Sequence, residues 1–137
     1  MPFVLDASVA LVWAFTDEQH PTAKLAFERI RIDGACVPSL WWFEVRNILI
    51  VNERRRRLTE ADTTEFLRKL SHLSVAIDRT PEEARLLALC RRHGLSVYDA
   101  AYLELAQREG LPLATLDVQL LRAARVEKVR LIDSLST

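Results

Sequence analysis

The sequence predicts an α/β fold, a three-layer α/β/α sandwich with a central parallel sheet and a Rossmann-like topology. Short apolar runs alternate along the chain with longer segments of helical periodicity, and this alternation is typical of a parallel sheet covered by helices on both faces. The chain has 137 residues, half of them hydrophobic, which is the length of one domain and enough to form a core. We therefore expect a single domain over residues 1–137.

The strands and helices follow from local signals. The segment "LTEAD" predicts the start of one helix, and "TPEE" predicts another, with Thr80 as N-cap, Pro81 in the first turn and Glu83 closing a capping box. Ser39 is predicted to cap a helix that runs to about Arg57. The apolar runs at residues 3–5, 35–37, 75–77, 113–116 and 129–132 are predicted to be strands.

The three glycines have one common context. Gly34, Gly94 and Gly110 each follow a helical segment that ends in charged residues, so each is predicted to end a helix. No glycine is then left for a phosphate-binding loop. The sequence therefore excludes a P-loop and a dinucleotide-binding fingerprint.

Charge and composition exclude further classes. The 19 basic and 19 acidic residues give a net charge of zero, which argues against a general nucleic-acid coat protein. Cys36 and Cys90 form no CxxC pair, so we expect two reduced core residues. The N-terminus lacks a basic leader region, and no apolar segment approaches the ~20 residues of a membrane span. We expect a soluble, cytoplasmic protein without membrane contact.

Carboxylates follow two of the predicted strands. Asp6 comes directly after the first strand, and Asp117 ends the apolar run in "ATLD". In open parallel sheets, ligands bind at the carboxyl ends of the strands, so both acids lie where a site is expected. Taken singly, each aspartate is explained equally well as a helix N-cap.

Two more acids lie on predicted helices. Glu44 sits in the apolar helix "SLWWFEVRNILIV", where a buried unpaired carboxylate would be costly, and Asn47 shares its face. Asp99 lies three residues after Ser96, so a role at a helix N-terminus is the alternative explanation. If all four acids converge, their repulsion calls for a cation. Oxygen ligands select Mg²⁺ or Mn²⁺.

Four stretches carry these acids in order: "VLDASV", "VPSLWWFEVRN", "LSVYDAAYLELA" and "LATLDVQLLRAA". They resemble the motifs of the PIN-domain ribonucleases, and more closely those of the VapC-type toxins of bacterial type II toxin–antitoxin pairs. The resemblance implies a Mg²⁺- or Mn²⁺-dependent endoribonuclease that cleaves RNA with metal-activated water. By position, it implies that Asp6, Glu44, Asp99 and Asp117 are the catalytic metal ligands.

The resemblance also implies partners and supporting residues. The partners are the RNA substrate, a neutralising antitoxin protein and a second copy in a homodimer or a larger toxin–antitoxin assembly. Ser8 and Thr115 would support the site through their hydroxyl groups, and Asn47 would orient it. The alternatives are that Ser8 only caps the first helix and that Thr115 is an ordinary strand residue.

One basic run is a weaker candidate for RNA binding. Its arginines end the predicted helix of Glu44, where cations suit the helix dipole, so a solvated helix end is the alternative to contacts with the RNA backbone. The run consists of Arg54, Arg55, Arg56 and Arg57.

Other protein classes fit less well. A HAD-like phosphatase needs a second acid two residues after Asp6, where this chain has Ser8. A receiver domain would use an aspartate after the third strand, where Asp78 stands, but Asp6 lacks the acidic neighbour of that class. A non-toxin PIN nuclease and a non-catalytic PIN-like RNA-binding module remain alternatives, although the second would be expected to lack one of the acids.

Overall fold

Strands and helices alternate along the chain as predicted. The computed structural model describes residues 1–15 and 19–133. In these ranges the strands are β1 (Phe3–Leu5), β2 (Ala35–Pro38), β3 (Val75–Asp78) and β4 (Leu113–Ala114). The helices are α1 (Ala7–Val12), α2 (Pro21–Asp33), α3 (Leu40–Arg54), α4 (Glu60–Leu70), α5 (Glu83–His93), α6 (Val97–Glu109) and α7 (Val118–Val126).

The strands form one parallel sheet in the order β3-β2-β1-β4. The chain steps outward from β1 to β3 and then crosses back, so β4 lies on the other side of β1. The carboxyl ends of β1 and β4 thus flank the topological switch point, where α/β sheets bind their ligands. Phe3, Val4 and Leu5 of β1 have no exposed surface. Both faces of the sheet are therefore covered, and the three-layer prediction is confirmed.

Helix α6 is the central helix of the fold. It packs against β1, β2 and β4, and also against α5 and α7. Its residues from Ala100 to Ala106 are all buried, Tyr102 and Glu104 among them. A helix that is buried on all sides needs its polar groups paired, and Glu104 is paired by the guanidinium of Arg108 at 2.8 and 3.0 Å.

The two C-terminal strand predictions were too long. β4 ends at Ala114, because the next backbone groups bond to side chains: the N–H of Leu116 donates to Ser8 Oγ, and the N–H of Asp117 donates to Thr115 Oγ1. The strand predicted at residues 129–132 is reduced to a single parallel bridge between Leu131 and Leu113.

The capping predictions had mixed outcomes. The helix predicted in "LTEAD" begins with a reciprocal capping box between Thr59 and Asp62. The prediction for "TPEE" was wrong, because α5 begins at Glu83 with Glu82 as its N-cap. The Glu82 side chain accepts from Arg85 N–H, and its own N–H donates to Glu104 Oε2 at 3.4 Å. Thr80 and Pro81 therefore precede the helix.

The boundaries of α3 also differ from the prediction. Ser39 stands at the N-cap, but its side chain makes no capping bond, because its backbone is already helical with φ −59° and ψ −31°. The helix ends at Arg54 rather than Arg57, and Arg56 has a positive φ of 60°.

The glycine predictions are confirmed. Gly34, Gly94 and Gly110 follow α2, α5 and α6, each with a positive φ. At Gly34, a Cβ atom would also lie 3.1 Å from the carbonyl oxygen of Ser74.

Both cysteines are free, as expected, and both pack against the core while remaining half-buried. Within the described ranges, every helix is either too short or too polar to cross a membrane.

Candidate functional site

The four predicted acids surround the carboxyl ends of β1 and β4. Asp6 follows β1, and Asp117 is the N-cap of α7 after β4. Asp99 lies in the first turn of α6, and Glu44 lies near the start of α3. Electrostatic interactions join Asp6 to Asp99 and Asp117, Glu44 to Asp6 and Asp99, and Asp99 to Asp117. The fold therefore brings each of the four carboxylates within reach of the charge of at least two others.

Asp6 is the most buried of the four, with 6% of its surface exposed. The hydroxyls of Ser8 and Thr115 both donate to its Oδ2 atom, at 2.8 and 2.6 Å. Burial raises the pKa of this carboxyl; the two hydroxyl bonds oppose that effect, and the charges of Asp99 and Asp117 add to it. A nearby cation would favour the ionised form.

The two hydroxyls also tie the ends of β1 and β4 together. Ser8 Oγ accepts from the N–H of Leu116, and Thr115 Oγ1 accepts from the N–H of Asp117. Ser8 thus bonds to Asp6 and to the segment after β4, rather than capping α1. The hydroxyl contacts expected for both residues are present.

Asp117 and Asp99 also serve their helices. Asp117 Oδ1 accepts from the N–H of Leu120 at 2.9 Å and so caps α7. The N–H of Asp99 donates to Ser96 Oγ at 3.1 Å. Burial raises the pKa of Asp99, the charge of Asp117 raises it further, and a hydrogen bond with Ser96 lowers it. Both residues therefore lie at helix starts, as considered from the sequence, and both also lie near the other acids.

Glu44 has a partner that the sequence analysis missed. The hydroxyl of the fully buried Tyr102 donates to Glu44 Oε1. Burial raises the pKa of Glu44, the Tyr102 bond lowers it, and the charges of Asp6 and Asp99 raise it. Burial, the Glu44 bond and the nearby carboxylates also raise the pKa of Tyr102. The available signal was that a tyrosine in a buried helix needs a partner for its hydroxyl.

The predicted orienting role of Asn47 is not supported by a contact of this kind among the described residues. Asn47 is exposed, and among the described residues the hydrogen bond to Glu44 comes from Tyr102. On the same helix, Arg46 stacks 3.9 Å from the ring centroid of Trp42 and donates to its carbonyl oxygen.

The sequence profile of the PIN domain matches residues 3–126. The chain belongs to the PIN-domain family. Ribonuclease VapC3 of Pyrobaculum aerophilum is 33% identical over 128 residues, which cover 88% of this chain and 92% of that protein. The resemblance to VapC-type PIN-domain ribonucleases is thereby confirmed.

A solved structure supports the fold. The crystal structure of PAE2754 from Pyrobaculum aerophilum aligns with a TM-score of 0.70 and 24% identity, over 90% of this chain and 84% of that chain. At this identity the likeness concerns the fold alone, which is the α/β/α sandwich described above.

Carboxylates are chemically suited to a hard divalent cation, but the acids of this PIN domain are not arranged as a ready-made metal site. Within residues 1–15 and 19–133, no three His, Cys, Asp or Glu side chains form a group that could hold a metal ion as they stand. The donors are nevertheless all carboxylate oxygens, and burial together with mutual repulsion raises the pKa of Asp6, Glu44 and Asp99. Mg²⁺ keeps several waters and takes only one or two protein carboxylates together with substrate phosphates. A site whose carboxylates are not closely gathered therefore suits Mg²⁺.

The basic run of this PIN domain lies apart from the acids. Ten residues of α3 separate Arg54 from Glu44, a rise of about 15 Å. Arg57 lies over the ring of Phe15, 4.4 Å from its centroid, and donates to Asn52 Oδ1 at 3.4 Å. Arg54, Arg55 and Arg56 are exposed at the end of the helix.

Asp78, the residue that a receiver domain would phosphorylate, is engaged elsewhere. It ends β3 at the edge of the sheet, and the guanidinium of Arg108 donates to both of its oxygens at 3.2 and 2.6 Å. This ion pair, together with the family membership, disfavours the receiver alternative.

Proposed function

We propose that this PIN domain is a Mg²⁺- or Mn²⁺-dependent endoribonuclease and the toxin of a toxin–antitoxin pair. The observation that supports the proposal is the electrostatic interaction among four carboxylates, which come from four separate elements near the switch point between β1 and β4. The relationship to Ribonuclease VapC3 supports RNA as the substrate and the toxin role.

Electrostatics support the need for a metal. Four carboxylates would repel the phosphate of an RNA backbone, so a cation must neutralise them before the substrate binds. Asp6, Glu44, Asp99 and Asp117 would hold this cation, one or two of them directly and the others through its bound waters. When bound, a divalent ion would lower the pKa of a coordinated water and stabilise negative charge on the scissile phosphate.

The side chains of the site orient the acids for this task. Ser8 and Thr115 both bond to Oδ2 of Asp6, which leaves Oδ1 as the oxygen available to an ion. Asp117 uses Oδ1 to cap α7, so its position follows the start of that helix. A non-catalytic RNA-binding module is disfavoured because none of the four acids is missing.

The proposal includes protein partners. An antitoxin segment would suppress cleavage by covering the cleft, in the cytoplasm where RNA and antitoxin meet. Trp42 and Phe43, exposed beside Glu44, offer an apolar surface for the antitoxin or for a second copy in a homodimer.

The test compares two aspartate substitutions in the purified protein. Asp6→Asn removes a charged ligand and keeps its shape, whereas Asp33→Asn neutralises an exposed acid at the end of α2. We expect wild type and Asp33→Asn to cleave total RNA in Mg²⁺ and to stop in EDTA, and Asp6→Asn to lose cleavage in both.

Three outcomes would contradict separate parts of the proposal. Undiminished cleavage by homogeneous Asp6→Asn protein would rule out the site. Cleavage that continues in EDTA would rule out the metal. Normal growth of the native host while it expresses active protein without the antitoxin would rule out the toxin role alone.

A further inference from the structure

Tyr102 joins three elements next to the carboxylate site. Its ring lies in the buried part of α6 with no exposed surface, and its hydroxyl donates to Glu44 Oε1 on α3. The same hydroxyl also interacts with the backbone of Ala7 in the first turn of α1. Tyr102 follows Asp99 by three positions, so the two side chains lie on neighbouring turns of one side of α6.

We propose that Tyr102 is a positioning residue that makes Glu44 offer a single oxygen, Oε2, to the cation, and that it thereby favours Mg²⁺ over Ca²⁺. This inference rests on the proposed metal-dependent function. It concerns the selectivity of the site rather than the presence of a metal.

Tyr102 is more buried than Glu44, and this difference decides which side chain holds the other in place. The Tyr102 ring is enclosed by the core, whereas Glu44 is only half-buried. Glu44 also carries the same charge as the nearby Asp6 and Asp99, and this repulsion favours rotation of its side chain toward solvent. The hydroxyl bond opposes that rotation, because it holds one carboxylate oxygen against the protein interior.

Coordination chemistry connects this restraint to the choice of ion. Ca²⁺ accepts six to eight oxygens and often takes both oxygens of one carboxylate, whereas Mg²⁺ demands octahedral geometry with short bonds to single oxygens. Tyr102 engages one oxygen of Glu44, and Ser8 and Thr115 engage one oxygen of Asp6. Two carboxylates of the site are therefore restricted in the same way.

The test uses Tyr102→Phe, with Tyr98→Phe as the matched control. Tyr98 lies one turn earlier on α6 and is 65% exposed, so its hydroxyl is not expected to affect the site. The dissociation constants for Mg²⁺ and for Ca²⁺ are measured by thermal-shift titration of the full chain, and melting in EDTA reports the stability of the fold.

We expect Tyr102→Phe to bind Mg²⁺ about 10-fold more weakly, since loss of a group that orients a ligand typically weakens metal binding 10–100-fold. Ca²⁺ binding should stay the same or tighten, so the preference for Mg²⁺ should fall about 10-fold. RNA cleavage in Mg²⁺ should fall through kcat with KM unchanged. Tyr98→Phe should match wild type in every measurement.

Equal weakening for both ions would overturn the inference, because it would mean that Tyr102 only supports the fold. Unchanged constants would overturn it as well. If Tyr102→Phe does not fold at the assay temperature, all three proteins are titrated at a lower temperature, at which melting in EDTA shows the variant to be folded. The same loss of preference is expected there, and an unchanged ratio would refute the role of Tyr102.

The proposed metal site and the proposed role of Tyr102 can be refuted separately. A wild-type protein that binds neither ion would overturn the metal site and this inference together. A wild type that binds Mg²⁺ and cleaves RNA, combined with unaltered selectivity in Tyr102→Phe, would overturn the inference alone.

Discussion

Replacing Thr115 by valine should destabilise the protein strongly, although the side chain keeps its shape. The Thr115 hydroxyl donates to the buried Asp6 carboxylate at 2.6 Å and accepts from the N–H of Asp117 at 3.1 Å. Valine can make neither bond. Asp6 would keep Ser8 as its hydroxyl donor, and the Asp117 N–H would lose its acceptor.

The magnitude follows from these two contacts. A hydrogen bond to a charged group contributes about 1.5–3 kcal/mol, and a donor left without an acceptor adds about 1 kcal/mol where burial is partial. We expect Thr115→Val to lower the free energy of unfolding by about 2.5–4 kcal/mol at pH 7. For a chain of this length, that loss corresponds to a drop in Tm of roughly 8–15 °C.

The loss should also depend on pH. Burial already raises the pKa of Asp6, and removal of one donor should raise it further. In the variant, the cost of burying the charged Asp6 carboxylate is therefore largest at neutral pH. This penalty disappears as the pH falls through the raised pKa values of the folded state, because the Asp6 carboxyl is then protonated in both folded proteins. The difference between variant and wild type should narrow accordingly.

Thr63→Val is the matched control. The Thr63 hydroxyl in α4 is buried and has no hydrogen-bond partner among the described residues. Its removal should leave the free energy of unfolding unchanged or raise it by up to about 1 kcal/mol. Urea unfolding of the three proteins at pH 7 and pH 4 measures both effects. The reasoning is refuted if Thr115→Val unfolds at the wild-type urea concentration, or if both variants lose equal stability.

Three further predictions address the acids and arginines. In EDTA, Asp99→Asn should melt at or above the wild-type Tm, because burial and Asp117 disfavour its charge; a clearly lower Tm would mean that helix capping outweighs repulsion. Glu127 has a pKa lowered to about 2 because three hydrogen bonds outweigh its burial. Glu127→Gln should therefore cost about 1.5–3 kcal/mol at pH 7, and urea unfolding should find this gap closing between pH ~4.5 and ~2; a constant gap would contradict this. Changing Arg54 and Arg55 to Gln should lower the slope of log K for RNA against log salt by under about one unit each, and an unchanged slope would leave the run as a solvated helix end.

The fold was largely predictable because its signals are local. The alternation of apolar runs and helical segments is visible in any window of the chain, and it predicts the layers. The positions of Asp6 and Asp117 follow from the same pattern, since each acid closes an apolar run. Their placement at one switch point follows from the parallel sheet, whose strands end at a common edge.

The errors lie where distant contacts override local preference. Thr115 favours a strand and Leu116 continues the apolar run, yet β4 stops before them because Leu116 bonds to Ser8, 108 residues away. The capping box of "TPEE" is a good local match, but Glu82 takes the N-cap position and is held by Glu104.

Tyr102 was missed for a related reason. Its position in "YDAAYLELA" looks like ordinary core, and its ring is indeed part of the core. The partner of its hydroxyl lies 58 residues earlier on another helix, so no local pattern points to it. Ser8 and Thr115 were found through the family resemblance rather than through spacing.

The hydrogen bond from Thr115 to Asp6 joins residues 109 positions apart. β1 leaves the ribosome well before β4, and at about 5–20 residues per second roughly 5–20 seconds separate them. During that time β1 lacks its neighbour β4, and Asp6 lacks both the hydroxyl of Thr115 and the nearby Asp117. A nascent chain that stops before β4 holds β1, β2 and β3 with the helices between them, and still has an incomplete set of carboxylates. The order of synthesis thus delays assembly of the site until the segment from β4 to α7 has emerged.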